Sequence, residues 1–240
     1  MTFITSCGKP ATSNGPDFAA QSVAATSEST ICIGPKSATR YLIYLHGMDT
    51  PIPSQQEVTN RILLSNLATM LGVRIALPRA TTPCPTQPNL RCWGWSFNAI
   101  EIENTAPVVD AAAKICFPPQ ARYGFLGFSN GGYFLLGAYR LCLIPKLFES
   151  ANWAVLVGAA RAPLNIHNEP KTLATCGEIG LMSGEADTYN SDLNQQMLQH
   201  LLNKNANAWE ITYPGAHELP AESLKSVFGK SILLSSLTCE

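Results

Sequence analysis

Three side chains of the sequence have the types and the order needed for acyl transfer through a serine nucleophile. Ser129 lies in the run Gly127-Phe128-Ser129-Asn130-Gly131, a G-x-S-x-G pattern, and Asp187 and His217 follow it along the chain. A serine hydroxyl is a weak nucleophile until an imidazole takes its proton, and a carboxylate then fixes the imidazole tautomer and stabilises its cation. The order serine, acid, histidine therefore predicts a nucleophile, an orienting acid and a general base.

The surroundings of Ser129 are typical of a nucleophile elbow, in which a strained turn between a strand and a helix lifts the hydroxyl above the sheet edge. Residues 123–128 are apolar and short enough for a buried parallel strand, and residues 132–143 are predicted to form a buried helix. The alternative is a glycine-rich strand end with no chemistry, since the pattern also occurs by chance.

The orienting acid is predicted at Asp187, which follows an apolar strand and a glycine in the segment 178–187. Two other carboxylates remain open as alternatives. Glu185 lies nearer the strand, and Asp192 lies where a helix is expected to begin, so both are interpreted as solvated or capping groups.

The general base is predicted at His217, because residues 208–217 form an alternating strand that runs into a turn and this histidine. His200 lies on a predicted amphipathic helix over residues 191–202, and His167 lies in a polar loop. Both of these histidines are predicted to be surface residues.

The fourth histidine belongs to a different part of the predicted site. Residues 40–45 form a strand that feeds a His46-Gly47 turn, where backbone N–H groups are available to stabilise a tetrahedral oxyanion. The two oxyanion-hole donors are predicted to be the backbone N–H groups of Met48 and Asn130. His46 is then structural, with its imidazole bonded to the loop, while a role as a second catalytic base stays open.

Four motifs together resemble those of the α/β-hydrolase superfamily, over roughly residues 38 to 235. They are Leu45-His46-Gly47-Met48-Asp49, Gly127-Phe128-Ser129-Asn130-Gly131-Gly132, the step from Gly184 to Asp187, and Pro214-Gly215-Ala216-His217-Glu218-Leu219-Pro220. The resemblance implies a serine esterase similar to the phospholipase/carboxylesterase, dienelactone-hydrolase-like and polyhydroxyalkanoate-depolymerase or feruloyl-esterase-like groups. The chain departs from many carboxylesterases at Asn130, where they have glutamine, and in the cysteine- and tryptophan-rich stretch 81–98.

Composition agrees with one catalytic domain over residues 17–240, preceded by a flexible segment or tether at 1–16. The 240 residues are 46% hydrophobic and 14% charged, with a net charge of −1. No basic patch for nucleic acid is indicated, and no apolar run is long enough to span a membrane.

Strands and helices alternate along the chain, which predicts a largely parallel central sheet with helices on both faces. Strands are predicted over residues 41–45, 73–78, 123–128 and 153–159, and helices over 55–71, 106–115 and 220–228. The connection 160–176 is too short for a large lid, so we expect an open cleft bordered by the loop 79–98. Such a cleft suits exposed esters on bulky or polymeric molecules and also admits small acyl esters.

Tryptophans in this bordering loop have two interpretations. Trp93 and Trp95 are predicted either to form an apolar wall for substrate or to pack on the sheet edge. The predicted mechanism needs neither a metal nor an organic cofactor. An acyltransferase with the same triad and a non-catalytic binding protein on the same fold stay open as alternatives.

Eight cysteines, without any C-x-x-C pair, favour disulfides and an exported protein over a zinc site. Cys84 and Cys92 flank a short proline-containing segment and are the first predicted disulfide. Cys142, on the helix after the nucleophile, is interpreted as a buried thiol. Cys7 ends the run Ile4-Thr5-Ser6-Cys7, which resembles a bacterial lipobox and predicts a lipid anchor, unless the match is accidental.

Overall fold

The structure, a computed structural model, describes residues 30–94, 98–148, 150–160, 166–188 and 191–229. Strands and helices alternate, as predicted. The strands are β1 (Ile31–Ile33), β2 (Arg40–Leu45), β3 (Val73–Leu77), β4 (Thr82–Pro83), β5 (Arg91–Cys92), β6 (Tyr123–Phe128), β7 (Ala151–Val157), β8 (Glu178–Gly184) and β9 (Asn207–Tyr213). The helices are α1 (Gln55–Leu71), α2 (Ala99–Cys116), α3 (Asn130–Arg140), α4 (Ile144–Leu147), α5 (Ser191–Asn203) and α6 (Ala221–Gly229).

Seven of the strands form one sheet in the order β1-β3-β2-β6-β7-β8-β9. Only the pair β1 and β3 is antiparallel, so the six strands from β3 to β9 run in one direction. All six residues of β6 are buried, as expected for a central strand covered on both faces. The carboxyl ends of the parallel strands therefore lie along one edge of the sheet, where an open α/β sheet usually binds its ligands.

Two hydrophobic clusters cover the two faces of the sheet. On one face, Leu64 and Leu67 of α1 and Phe228 of α6 pack against Leu42 and Ile75. The cluster on the other face contains side chains of α2, α3 and α5 together with inward-facing residues of β6 and β8. This arrangement confirms the predicted fold class, a mostly parallel sheet with helices on both faces.

Helix α1 is delimited by residues that suit its two ends. The Ser54 hydroxyl accepts a hydrogen bond from the backbone N–H of Glu57, which caps the amino end. At the other end Gly72 has φ 62°, a left-handed conformation that glycine adopts without a steric penalty. The cap fixes the start of α1 close to the site described below.

Two predicted helix boundaries are wrong. Helix α2 begins at Ala99 instead of residue 106, because the Asn98 side chain accepts from the N–H of Ile100 and Pro107 is accommodated inside the helix. Helix α3 ends at Arg140 instead of residue 143, because Cys142 has φ 54°. The chain then continues into the short helix α4.

The predicted loop 79–98 contains a small hairpin. Strands β4 and β5 pair in antiparallel register, with Thr82 opposite Cys92 and Pro83 opposite Arg91. A disulfide between Cys84 and Cys92, with Cα atoms 5.0 Å apart, closes the hairpin as the spacing predicted.

Two more disulfides join segments that are remote in the sequence. Cys32 is bonded to Cys116 and Cys142 to Cys176, with Cα separations of 5.5 and 4.9 Å. The interpretation of Cys142 as a buried thiol is therefore wrong. The proposed lipid anchor at Cys7 and the segment 1–16 lie outside the described residues.

The connection between β7 and β8 contains no helix in its described residues, 158–160 and 166–177. Whether the fold lacks a large lid stays a prediction, because residues 161–165 of this connection lie outside the described residues. Among the helices that the structure describes, none combines the length and the apolar character needed to cross a membrane.

Candidate active site

Ser129 lies at the turn between β6 and α3, at the carboxyl edge of the sheet. Its backbone has φ 50° and ψ −115°, a combination that non-glycine residues rarely adopt and that costs free energy. The turn is held by two backbone bonds, from the Ser129 N–H to Val157 O (2.9 Å) and from the Tyr133 N–H to Ser129 O (2.9 Å). This geometry is the strained elbow that the G-x-S-x-G pattern predicted.

The glycines of the pattern leave room for close backbone approach around Ser129. A Cβ at Gly127 would lie 2.7 Å from the Cα of Gly132, and a Cβ at Gly131 would lie 2.7 Å from the carbonyl oxygen of His46. Real Cβ atoms do not tolerate such contacts. Larger residues here would displace either the helix or the strand next to Ser129.

Asp187 and His217 come together because β8 and β9 are neighbouring parallel strands. The loops after these strands are joined by backbone bonds from the Ala186 N–H to Gly215 O (2.8 Å) and from the Glu185 N–H to Tyr213 O (2.9 Å). Asp187 is 2% exposed, and its Oδ2 lies 2.8 Å from Nδ1 of His217.

Of the two alternative acids, Glu185 does not share this position. Glu185 is exposed, although it lies only two residues before Asp187. The side chain of Asp192 lies outside the described part of the structure. The contact to His217 therefore favours Asp187 as the orienting acid.

The imidazole of His217 lies beside the nucleophile elbow. Its ring centroid is 5.0 Å from that of Phe128, the residue that precedes Ser129. The imidazole also lies against Gly158. This glycine follows Val157, whose carbonyl oxygen accepts the hydrogen bond from the Ser129 N–H. With Nδ1 directed at Asp187, the second ring nitrogen, Nε2, is the atom available to exchange a proton with a hydroxyl.

Gly158 is a site residue that the sequence reasoning missed. It has φ 61°, and a Cβ at this position would lie 2.7 Å from Cε1 and 2.8 Å from Nδ1 of His217, and 3.3 Å from Oδ2 of Asp187. Only glycine combines this backbone with this space. Its place directly after an apolar strand, Ala151–Val157, is a signal that could have drawn attention to it.

The loop that carries His217 is held from two sides. Gln56, at the start of α1, donates its Nε2–H to the carbonyl oxygen of His217 (2.9 Å). The Tyr213 hydroxyl donates to the carbonyl of Glu218 (2.7 Å), and burial raises the pKa of this tyrosine, so it remains a donor. Neither contact was predicted. Gln56 is 161 positions from His217 in the sequence, and Tyr213 is a residue type that nothing in the sequence singles out.

The predicted oxyanion-hole donors lie at the same edge. The Gly131 N–H donates to the carbonyl of His46 (3.0 Å), which joins the loop after β2 to the start of α3. Within the described parts of the chain, the backbone N–H groups of Met48 and Asn130 donate to no other backbone group. Two such groups beside a serine are suited to an oxyanion.

His46 is structural, as predicted. It is buried, its Nε2 accepts from the Ala80 N–H (3.0 Å), and its Nδ1 donates to the carbonyl of Gly47. Burial lowers the pKa of His46 to about 4, so the ring is neutral near pH 7. Since both ring nitrogens are engaged, His46 does not serve as a second base.

Trp93 lies in the core and not on a solvent-facing wall. It is 1% exposed, and its ring packs between His46 (5.3 Å between centroids) and Phe134 (6.2 Å). This burial favours the packing interpretation of Trp93 over the substrate-wall interpretation. Trp95 lies outside the described residues.

The two remaining histidines differ from each other. His167 is exposed, as predicted. His200 is not a solvated surface residue: its Nε2 lies 3.0 Å from the carboxylate of Glu169 and 3.1 Å from Nη2 of the buried Arg140. The prediction for His200 was wrong because amphipathic periodicity identifies the exposed face but not the partners at its margin.

Comparison with solved structures finds α/β-hydrolases across most of the chain. Acyl-protein thioesterase 2 of Zea mays matches with a TM-score of 0.62 and 20% identity, over 88% of this chain and 99% of that one. A carboxylesterase of Mesorhizobium loti gives 0.61 and 18%, over 85% and 95%, and the carboxylesterase of Bacillus cereus gives 0.57 and 16%, over 85% and 94%.

No protein-family model and no curated protein sequence matches the chain. The likeness to solved structures therefore shows the fold: this is an α/β-hydrolase fold, as the four motifs predicted. The reaction and its residues must be argued from the site itself.

Proposed function

We propose that the protein is a serine esterase that hydrolyses carboxylic esters through Ser129, His217 and Asp187. The observation that carries the proposal is the 2.8 Å contact between Asp187 Oδ2 and His217 Nδ1, next to a serine at a strained strand-to-helix turn. Esterase and thioesterase names among the structures of the same fold support a hydrolase.

In the acylation step, His217 accepts the Ser129 proton at Nε2 as the serine Oγ attacks the ester carbonyl. Asp187 keeps the Nδ1 proton on the imidazole and stabilises the imidazolium that forms. The carbonyl oxygen becomes an oxyanion, for which the N–H groups of Met48 and Asn130 are the proposed donors. His217 then protonates the departing alcohol, and the acyl group remains on Ser129.

Deacylation repeats these steps with water as the nucleophile. His217 accepts a proton from the attacking water, the same donors stabilise the second oxyanion, and Ser129 leaves with the proton returned by His217. The products are a carboxylic acid and regenerated enzyme. An acyltransferase would use another acceptor in place of water, so product analysis separates the two reactions.

The rim of the proposed site favours substrates with apolar acyl or alcohol groups that are presented at a surface. Met48 is 37% exposed, and Ile52, four residues further along the same loop, is 77% exposed. These apolar side chains at the surface suit an ester that is carried by a bulky molecule.

The three disulfides support a proposal about location as well. Disulfides form and persist in oxidising compartments, whereas reducing compartments keep cysteines as thiols. We therefore propose that the protein acts after export.

A panel of p-nitrophenyl esters from acetate to decanoate, measured for the wild type and for Ser129→Ala, tests the function. We expect measurable turnover in the wild type and a loss of on the order of 10⁴-fold or more in the variant. A fluorophosphonate should label the wild type at Ser129 and leave the variant unlabelled. Circular dichroism checks that the variant is folded.

Unchanged turnover in a folded Ser129→Ala variant would contradict the proposal. Absence of turnover and of labelling in the wild type, across the panel and with feruloyl, polyester and acetylated-polysaccharide substrates, would favour a binding protein on this fold. Mass spectrometry of products in the presence of alcohols detects acyl transfer.

A further inference from the structure

The hairpin formed by β4, β5 and the turn between them, residues 82–92, contacts the segment that carries the proposed Met48 donor, and the two residues directly after the hairpin contact Asn130. We infer that this disulfide-closed hairpin positions the oxyanion hole, and that Asp49 and Asn130 are the positioning residues through which it acts. The inference rests on the proposed function, because it names residues that support the proposed reaction without touching substrate.

The first connection is a backbone pair between Asp49 and Arg91, the first residue of β5. The Arg91 N–H donates to Asp49 O (2.7 Å), and the Asp49 N–H donates to Arg91 O (3.2 Å). Asp49 follows Met48 directly, so this pair fixes the peptide next to the proposed Met48 donor. A shift of the hairpin would therefore move or rotate that donor.

The carboxylate of Asp49 anchors the same segment from its other side. Asp49 is buried, its Oδ1 accepts from the Ser54 N–H (2.9 Å), and its Oδ2 lies 3.1 Å from Nη2 of Arg79. Arg79 also donates to the carbonyl of Thr50. The loop after Met48 is thus held between the hairpin and the start of α1.

The second connection runs through the Asn130 side chain. It is 1% exposed, its Oδ1 accepts from the Trp93 N–H (2.7 Å), and its Nδ2 donates to the Gly94 carbonyl (3.2 Å). Trp93 and Gly94 follow the hairpin directly. Since the backbone N–H of Asn130 is the other proposed donor, one residue both supplies a donor and attaches it to the hairpin.

The hairpin itself has few internal hydrogen bonds. Its strands are two residues long, and its turn is held by bonds from the Cys84 N–H to Leu90 O (3.0 Å) and from the Leu90 N–H to Gln87 O (2.9 Å). So short a ladder is marginal in water without further support. The Cys84–Cys92 disulfide closes its base, so the disulfide maintains the geometry that both connections need.

Removing each disulfide in turn tests the inference, since the chain offers two matched controls. We expect Cys84→Ser/Cys92→Ser and, separately, Asn130→Ala to lower kcat for a p-nitrophenyl ester tenfold to hundredfold. This is less than the 10²–10³-fold typical of losing one oxyanion donor entirely, because both backbone donors are still present. KM should change less than about threefold, because an oxyanion hole acts in the transition state.

The control pairs, Cys142→Ser/Cys176→Ser and Cys32→Ser/Cys116→Ser, should keep kcat within about threefold of the wild type even where their thermal stability falls. The affinity for a trifluoromethyl ketone, which forms a tetrahedral oxyanion on the serine, should fall with kcat in the hairpin variants only. Equal kcat losses in the control pairs, a loss confined to KM, or an unchanged kcat in both the hairpin variant and Asn130→Ala would overturn the inference.

Hydrogen exchange provides a readout that does not depend on turnover. Peptides covering residues 46–50 and 128–133 should exchange faster in Cys84→Ser/Cys92→Ser than in the wild type, and at wild-type rates in Cys142→Ser/Cys176→Ser. If the wild type hydrolyses no ester, the proposed function fails while this coupling is still measured. Unchanged exchange in both peptides of the folded hairpin variant would overturn the coupling alone.

Discussion

Two buried carboxylates each contact a histidine, and their surroundings differ in every other respect. Asp187 meets Nδ1 of His217 at 2.8 Å on the carboxyl edge of the sheet, beside Ser129. Glu169 meets Nε2 of His200 at 3.0 Å, between the β7–β8 connection and helix α5. A contact between a carboxylate and a histidine thus occurs once beside a strained serine and once away from it.

Cations surround Glu169. The guanidinium of Arg140, which is 0% exposed, contacts it at 2.6 and 3.2 Å, and Nζ of Lys204 lies 3.2 Å away. Burial by itself raises the pKa of Glu169, but hydrogen bonds from Arg140 and His200 lower it by a larger amount. The pKa of Glu169 therefore lies below its ordinary value. The charge of this carboxylate is therefore neutralised by a structural network of ion pairs.

The comparison shows that a carboxylate–histidine contact does not by itself identify a catalytic pair. What distinguishes Asp187 and His217 is their position at the ends of β8 and β9, the neighbouring elbow, and the glycine space around the imidazole. The proposed catalytic role of the Asp187–His217 pair depends on the serine near the second ring nitrogen of His217. The structural role of Glu169 depends on the cations that neutralise its carboxylate.

Exchanging each carboxylate for its amide should separate the two pairs most strongly. Asp187→Asn should lower kcat by roughly 10⁴-fold, because an amide cannot hold the imidazole in the required tautomer. Glu169→Gln should leave kcat nearly unchanged but lower the free energy of unfolding by about 3–5 kcal/mol, since it removes the charge that compensates buried Arg140. Ester kinetics and urea denaturation measure the two effects.

Glu185→Gln is the matched control for the acid, because Glu185 is exposed two residues away and should have mild effects on both measurements. If Glu185→Gln were the damaging change, the acid assignment would be wrong although a triad would remain. If Glu169→Gln lowered kcat as strongly as Asp187→Asn, the distinction between the two regions would fail.

Gly158→Ala should have the next largest effect. The added Cβ would lie 2.7 Å from Cε1 of His217, so the imidazole must move, and displacement of a catalytic group by about 1 Å typically costs on the order of 10²-fold in rate. The substitution also strains a backbone with φ 61°. We expect kcat to fall about a hundredfold with a modest loss of stability.

Gly72→Ala is the control for the backbone strain that a Cβ causes at a positive φ. Gly72 has nearly the same φ, 62°, yet a Cβ there would meet no atom within 4 Å. Both variants should lose about 1 kcal/mol or more of stability through strain, and only Gly158→Ala should lose activity. Equal activity in the two variants would show that the imidazole tolerates the extra methyl group.

The last expected effect is a difference in pH dependence between the buried His46, next to the proposed oxyanion loop, and Glu169. Burial lowers the folded-state pKa of His46 from 6.5 to about 4. Above pH 6.5 the ring is neutral in both states, and below it the unfolded chain binds the proton first. Stability should therefore fall as pH drops from about 6.5 to about 4, by up to about 3 kcal/mol.

For Glu169 the folded-state pKa is lowered, so its contribution should be lost only as pH falls below its ordinary value of 4.5. Urea denaturation between pH 7 and pH 4 should show most of the stability loss from His46, both in the wild type and in Glu169→Gln. His46→Asn, which keeps a donor for the Gly47 carbonyl, should be less stable at pH 7 and should lose the slope between pH 6.5 and 4.5. A slope that persists in His46→Asn would assign it to other groups.

Local sequence determined the elements whose conformation depends on near neighbours. The strained turn at Ser129 follows from glycines two residues on either side, and the loop with the proposed Met48 donor follows from a strand that is directly succeeded by His46-Gly47. The Cys84–Cys92 disulfide follows from a separation of 8 residues. These features are encoded by backbone preference and short spacing, so they could be predicted, and the catalytic roles of the residues stay predictions that the experiments above test.

Tertiary structure alone decided which remote residues meet. Cys32 and Cys116 are 84 positions apart, and their disulfide depends on where α2 packs relative to β1. The closeness of Gly158 to His217, the burial of Trp93 and the attachment of Asn130 to the hairpin likewise depend on strand order and helix packing. A side chain's type sets the contacts it can make, but only the folded sheet brings its partner within reach, since those partners are far apart along the chain.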